Sequence, residues 1–172
     1  CGLHANSSLQ VLGQLRGGME VLFGQQLSLG DTGLLDLAGK EVGPAKLKEV
    51  AAFLASPESA AVRRLVLSGN MITDRGKDLS GLKELCQVLP TLKHPISLDL
   101  SNCGLGVAEV NEVAAAIHAG AALNSLTLDS NGIFGTLETD DEYGDSDKFD
   151  GECDAVLDAL KDSNIMTLSL RN

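Results

Sequence analysis

The sequence predicts an α/β fold in which short parallel strands form one face of a solenoid and helices form the other. Two observations lead to this prediction. Leu-x-Leu pairs recur along the chain at spacings of 28 to 42 residues, and the stretches between them place apolar residues three or four positions apart. The first pattern is typical of a strand with one buried face, and the second is typical of an amphipathic helix.

The full strand motif continues with Asn or Cys three residues after the Leu-x-Leu pair and an aliphatic residue two positions further on. Three copies keep all four positions: Leu65, Leu67, Asn70 and Ile72; Leu98, Leu100, Cys103 and Leu105; and Leu126, Leu128, Asn131 and Ile133. Two weaker copies flank them: Leu35, Leu37 and Val42, with Lys40 at the Asn position, and Ile165, Leu168 and Leu170. We expect the Asn side chains to bond backbone groups where the chain turns, and Cys103 to do so in part.

The helices are predicted from apolar stripes that lie between the strand motifs. The stripes are Val50, Phe53 and Leu54; Leu79, Leu82, Leu85, Cys86 and Leu89; Val110, Val113, Ala114 and Ile117; and Cys153, Val156, Leu157 and Leu160. Pro57 and Pro90 follow the first two stripes, where a helix is expected to stop. Strands that alternate with helices in this way are expected to be parallel.

The strand motif resembles the LxxLxLxxN/CxL consensus of leucine-rich repeat proteins over roughly residues 33–172. Units of 28 to 33 residues with a helical second half are similar to the ribonuclease-inhibitor-like subclass. The resemblance implies a horseshoe segment of about four and a half repeats in residues 33–172, with strands on the concave face and helices on the convex face. Residues 1–32 fit poorly, and we interpret them as a degenerate first repeat or an N-terminal cap. Both ends fall within a repeat, so we expect the chain to belong to a longer repeat array or a larger assembly.

Side chains between the strand leucines are expected on the concave face. They are mostly small and polar: Arg64, Val66, Ser68, Ser97, Asp99, Ser101, Ser125, Thr127, Asp129, Thr167, Ser169 and Arg171. The resemblance implies a non-catalytic interaction module or scaffold that binds a protein partner through this face. The alternative is that these residues form only the solvated face of a sheet.

The last two strand motifs are 42 residues apart, and the extra length forms an acidic loop insertion at 134–152 on the predicted rim. Nine acidic residues and one lysine lie between Glu138 and Asp154, which accounts for −8 of the net charge of −11. The candidate binding residues of this acidic rim loop are Asp140, Asp141, Glu142, Tyr143, Asp145, Asp147, Phe149 and Asp150. The loop is expected either to dock a basic partner or to act as a solvated spacer.

Two other functions are alternatives on the sequence alone. Asp145, Asp147 and Asp150 partly match a calcium-binding EF-hand loop, although the third acid comes one residue late and the closing Glu is missing. A regulator of a small GTPase, of the GTPase-activating type, is the other alternative, because one branch of the resembled subclass activates such enzymes. Arg75 is the rim arginine nominated for that role.

Composition and the absence of known motifs disfavour several classes of function and partner. A chain of 172 residues suffices for one domain with its own core, and its net charge of −11 disfavours nucleic acid as a partner. No apolar stretch is long enough to span a membrane. The three histidines His4, His94 and His118 form no HExxH-type pair, and neither GxSxG nor a P-loop is present. We therefore expect no enzymatic activity, no cofactor and no metal site.

The four cysteines, Cys1, Cys86, Cys103 and Cys153, match no CxxC metal motif. The last three lie in apolar patterns, which favours reduced, buried thiols and a cytoplasmic location, with cytoskeletal association as one option. The glycosylation sequon Asn6-Ser7-Ser8 points towards secretion instead, but such triplets are common by chance.

Overall fold

The computed structural model describes residues 19–22, 25–28, 32–134, 154–161 and 163–171. The strands are β1 (Met19–Leu22), β2 (Gln25–Ser28), β3 (Leu34–Asp36), β4 (Arg64–Val66), β5 (Ile96–Asp99), β6 (Leu123–Thr127) and β7 (Thr167–Ser169). The α-helices are α1 (Pro44–Ala55), α2 (Ser80–Val88), α3 (Val107–His118) and α4 (Asp154–Lys161). Short 3-10 helices occupy Pro57–Ala61, Leu89–Thr91 and Gly132–Phe134. Pro57 and Pro90 thus lie where α1 and α2 end, as predicted.

Strands β3 to β7 form one five-stranded sheet in chain order, and each strand is parallel to the next. The register aligns Leu35, Leu65, Leu98, Leu126 and Leu168 across the sheet. These are the first leucines of the five predicted strand motifs. The prediction of an α/β fold with parallel strands is therefore confirmed.

The inner face of this sheet packs against the helices around an aliphatic core. Leu65, Leu98 and Leu126 are at most 1% exposed. The buried apolar side chains of the first three helices are Leu47, Val50, Ala51 and Leu54 of α1, Leu82, Leu85 and Cys86 of α2, and Val110, Val113, Ala114, Ala116 and Ile117 of α3. Each large aliphatic side chain buried in this way contributes about 1.5–3 kcal/mol. Most residues of the first three stripes seen in the sequence are therefore buried, as predicted, whereas the fourth stripe falls largely on residues whose side chains are not described.

Strand β7 is less well covered than the strand beside it. Leu168 and Leu170 are only partly buried, whereas Leu126 of β6 and Leu128 just after it are at most 1% exposed. In the described part of the chain, β7 pairs with β6 alone. Its inner leucines therefore have strand cover on one side.

Strands β1 and β2 pair antiparallel in a separate two-stranded hairpin. The hairpin lies in the region interpreted as a degenerate repeat or a cap, and no sequence pattern predicted it. Residues 1–18 lie outside the described residues.

Candidate functional site

The buried side chain of Asn70 fixes the turn that follows β4. Its Nδ2 donates to the carbonyl oxygens of Leu37 and Leu67, each at 2.8 Å, and its Oδ1 accepts from the Val42 N–H at 3.0 Å. Leu37 and Val42 belong to the preceding strand motif. One amide group therefore ties two successive turns together.

Asn131 makes the same kind of contacts in the turn that follows β6, two strands further along the sheet. Its Nδ2 donates to the carbonyl oxygens of Leu100 and Leu128, each at 2.9 Å. Its Oδ1 accepts from the N–H groups of Cys103 and Leu105 at 3.0 and 3.1 Å. The prediction that these asparagines bond backbone groups at the turns is confirmed.

Cys103 occupies the asparagine position between these two turns. Its Sγ donates to the Leu67 carbonyl oxygen at 3.2 Å, so it takes over part of the asparagine's role. Burial raises the pKa of the Cys103 thiol to about 11. Burial, assisted by the negative charge of Glu112, raises the pKa of Cys86 to about 12. Both cysteines are free and buried, and the other two lie outside the described residues.

The outward side chains of the five-stranded sheet form a continuous surface, here called the outer strand face. The strand register and the backbone bonds that continue it align these side chains in three rows: Leu34, Arg64, Ser97, Ser125 and Thr167; Asp36, Val66, Asp99, Thr127 and Ser169; and Ala38, Ser68, Ser101, Asp129 and Arg171. All twelve residues predicted for the concave face lie here, and each is at least partly exposed. Their role in binding stays a prediction.

The residues that β3 contributes to the outer strand face were not predicted from the sequence. Asp36 alternates with the buried residues Leu35 and Leu37, so the same pattern could have placed it. Asp36 is exposed, and its Oδ1 accepts from the Ala38 N–H at 3.0 Å. The face therefore begins at β3 and carries one more carboxylate than predicted.

Asp99 lies near the middle of the outer strand face. Its Oδ1 accepts from the N–H of Ser101 at 3.0 Å and from the Ser101 hydroxyl at 2.6 Å. Its Oδ2 lies 3.8 Å from Nη2 of Arg64. The Arg64 side chain is 58% exposed and that of Asp99 is 19% exposed, so the carboxylate is held in a fixed orientation with an open cation beside it.

Asp129 links β6 to β7 through its side chain. Its Oδ1 accepts from the Arg171 N–H and from the Ser169 hydroxyl, both at 2.7 Å. These bonds stabilise the ionised form and hold the pKa of Asp129 below its usual value. A cross-strand bond from the Ser97 hydroxyl to Oδ1 of Asn124, at 3.0 Å, adds a further polar link on the same face.

The eight candidate residues of the acidic rim loop lie outside the described residues; they are Asp140, Asp141, Glu142, Tyr143, Asp145, Asp147, Phe149 and Asp150. Docking by this loop and calcium binding therefore stay predictions.

Arg75 lies exposed in the turn between β4 and α2. Asp74, Arg75 and Gly76 all have positive φ, at 47°, 57° and 80°. Two consecutive non-glycine residues in this conformation are uncommon. The Gly76 N–H donates to the hydroxyl of the buried Thr73 at 3.2 Å, which helps to hold the turn.

A cleft lies at the amino ends of β4 and β5, away from the outer strand face. It has a volume of about 330 Å³ and is lined by residues of the segments 54–60 and 91–94. Arg63 lies beside it, with Nη1 at 3.0 and 3.3 Å from the two ring nitrogens of His94. The same Nη1 donates to the Ala60 carbonyl oxygen at 2.8 Å. No sequence motif marked this cleft, since its walls come from two separate turns.

A scan against protein-family models finds no match, and no curated protein matches the chain in sequence. Within the described ranges, no group of three or more His, Cys, Asp and Glu side chains is placed to hold a metal ion. No helix in that part of the chain has the length and apolar character needed to cross a membrane.

Proposed function

We propose that this chain is a segment of a leucine-rich repeat solenoid, of the ribonuclease-inhibitor-like type, that acts as a non-catalytic protein-interaction module. In this proposal the outer strand face is the concave face and binds a protein partner, with the acidic rim loop as a second contact. The repeated strand motif, the chain-ordered parallel sheet and the Asn70 and Asn131 turns support the assignment. The location proposed is the cytoplasm.

The observation that carries this proposal is the pre-set geometry of the polar side chains on the outer strand face. Asp99 and Asp129 each accept two hydrogen bonds from the face itself, so their carboxylates are oriented without a partner. A surface whose side chains are already ordered loses less conformational entropy on binding. An ordered row of polar groups across five strands suits a partner of complementary charge.

The partner is expected to present basic or hydrogen-bond-donating groups. Three carboxylates, Asp36, Asp99 and Asp129, lie on the described face, against the two cations Arg64 and Arg171. Asp36 and Asp129 have no ion pair with Lys or Arg within 4.0 Å, as judged over the described residues. The acidic rim loop, at −8, adds charge of the same sign.

The test is a pull-down from native lysate, read by quantitative mass spectrometry. The double variant Asp99→Arg plus Asp129→Arg should lose a partner of the face, because like charges then meet in a desolvated contact at a cost of several kcal/mol. Glu49→Arg plus Glu84→Arg changes the net charge equally, on α1 and α2, and should keep the partner. Thermal melting of each variant separates lost binding from lost folding.

A third chain that lacks residues 138–152 separates the two proposed contacts. Loss of the partner only with this deletion would assign binding to the acidic rim loop. Equal loss with both double variants would mean that net charge alone controls capture. Absence of any specific partner for the unmodified chain would contradict the proposal.

Two assays address the alternative functions. The exposed position of Arg75 is the observation that bears on the GTPase-activating hypothesis. Phosphate release from a panel of small GTPases tests it, measured with the unmodified chain and with its Arg75→Ala variant. Calorimetric titration tests whether the acidic rim loop binds calcium. Absence of heat at millimolar calcium would contradict that hypothesis.

A further inference from the structure

Asn131 and Gly132 form the single Asn-Gly pair of the sequence. In a flexible chain this pair is chemically labile. The Gly132 backbone nitrogen can attack the Asn131 side-chain Cγ, because glycine has no side chain to obstruct the approach and ranges widely in φ and ψ. A new C–N bond forms and the Cγ–Nδ2 bond breaks. The proton lost by the Gly132 nitrogen departs with Nδ2 as ammonia, and the chain is left as a succinimide. Water then opens this ring to aspartate or isoaspartate.

In the folded chain, hydrogen bonds restrain the Asn131 side chain and a 3-10 helix restrains the Gly132 backbone. Asn131 is 5% exposed, and its amide makes five hydrogen bonds of 2.9 to 3.3 Å with backbone groups of two neighbouring turns. Gly132 begins the 3-10 helix Gly132–Phe134, so its backbone is also fixed. Attack requires the side chain to rotate and give up these bonds. Opening of the turn must therefore precede reaction.

The product does not fit the turn that the amide occupies. The carbonyl oxygens of Leu100 and Leu128 accept from Nδ2 of Asn131, and an ionised carboxylate has no proton to donate. The new side chain would place a negative charge against two buried acceptors, which is strongly unfavourable. Isoaspartate also lengthens the backbone within the turn. A chain that has reacted therefore loses the tie between the β5 and β6 turns.

We propose that Asn131 is a site of spontaneous deamidation that is gated by local opening of the turn after β6. The native chain is protected, and a chain that stays open is converted irreversibly to a form that cannot restore the turn. The observed rate is the product of the opening equilibrium and the rate in the open chain, as for other reactions of locally unfolded segments.

The experiment compares the chain under native conditions with the chain in urea, at the same mildly alkaline pH and temperature. Peptide mapping by mass spectrometry reports the mass gain of about one dalton at Asn131. We expect rapid conversion in urea and strong protection in the native chain. Equal rates in the two conditions would overturn the gating, since the hydrogen bonds would then offer no protection.

Gly132→Ala is the matched control. Gly132 is exposed, its φ lies outside the positive range, and a Cβ there would meet nothing closer than the Leu105 carbonyl oxygen at 3.9 Å. The variant should fold normally and convert far more slowly in urea. Conversion in urea as fast as that of the unmodified chain would show that the Asn-Gly pair is not the reactive unit.

Two further readouts test the consequence of reaction. After dilution from urea, converted chains should fail to regain the native melting temperature, whereas unconverted chains regain it. A Leu128→Ala chain, destabilised beside the same turn, should deamidate faster under native conditions by tenfold for each 1.4 kcal/mol of stability lost. Full refolding of converted chains, or a native rate insensitive to Leu128→Ala, would contradict the proposal.

Discussion

Gly81 of α2 lies so close to Pro44 of α1 that a Cβ on Gly81 would be 2.3 Å from the Pro44 carbonyl oxygen. The same Cβ would be 3.0 Å from Cβ of Leu47. No atom pair of this kind is tolerated at 2.3 Å, and a backbone carbonyl at the start of a helix cannot easily move aside. The spacing between the first two helices therefore depends on the absence of a side chain at one position.

Gly81→Ala should lower the free energy of unfolding, because α2 must shift away from α1 or α1 must bend. Overpacking of this kind costs about 1–3 kcal/mol, which exceeds the gain in helix propensity. Urea denaturation measures the change. Gly132→Ala, which meets no close neighbour, is the control, and equal stability of the two variants would contradict the prediction.

Asn70→Ala should destabilise the chain strongly. It removes the partner of the Leu37 and Leu67 carbonyls and of the Val42 N–H, and each buried group left unpaired costs about 1–3 kcal/mol. We expect a loss of more than about 2 kcal/mol in urea denaturation. Asn111→Ala, at an exposed position of α3, should change stability little, and a similar loss there would point to a general effect of removing asparagine.

Asp129 should make stability depend on acid pH. Its folded pKa is lowered by the Arg171 N–H and the Ser169 hydroxyl, so the ionised form stabilises the folded state. This contribution is complete above the unfolded pKa of about 3.9 and is lost as the pH falls through the lower folded value. The stability difference between the unmodified chain and Asp129→Asn, followed by urea denaturation, should shrink across that range. A difference independent of pH would contradict the assignment.

The two buried thiols should resist alkylation in the folded chain. Their folded pKa values of about 12 for Cys86 and about 11 for Cys103 leave almost no thiolate near pH 8.5, where an ordinary thiol is about half ionised. Residue-resolved mass spectrometry after iodoacetamide treatment should show both labelled in urea and neither labelled under native conditions.

The same raised pKa values should make the folded chain less stable at alkaline pH. The folded state disfavours the thiolate, so stability is complete below the unfolded pKa of about 8.5 and declines as the pH rises towards the folded values. A Cys86→Ala chain should show a smaller decline. Labelling of either thiol at the rate of an unfolded chain would show that it is not buried in solution.

Much of the fold could be predicted because strand and helix periods report which side chains face inward. Leu65, Leu98 and Leu126 were aligned correctly from their spacing alone, and the structure places them side by side. The role of Asn70 in its turn was predicted from its position after the Leu-x-Leu pair, because an amide has both donors and acceptors for backbone groups.

Features that depend on distances between separate segments were not predictable from the sequence. The contact between Gly81 and Pro44 depends on how closely two helices approach, and periodicity does not report that distance. The pairing of Arg63 with His94 joins two turns 31 residues apart. The bond from Ser169 to Asp129 crosses between strands, and nothing in either local sequence indicates it.

The strand order of the sheet also bears on how such a chain could change over evolutionary time. Among the described residues, each of the strands β3 to β7 pairs only with its neighbours in the chain, and the first leucine of one strand motif aligns with that of the next. Duplication or loss of one whole strand–helix unit would therefore leave every remaining strand with a neighbour of the same kind. Unequal exchange within the gene could lengthen or shorten the outer strand face without redesign of the core.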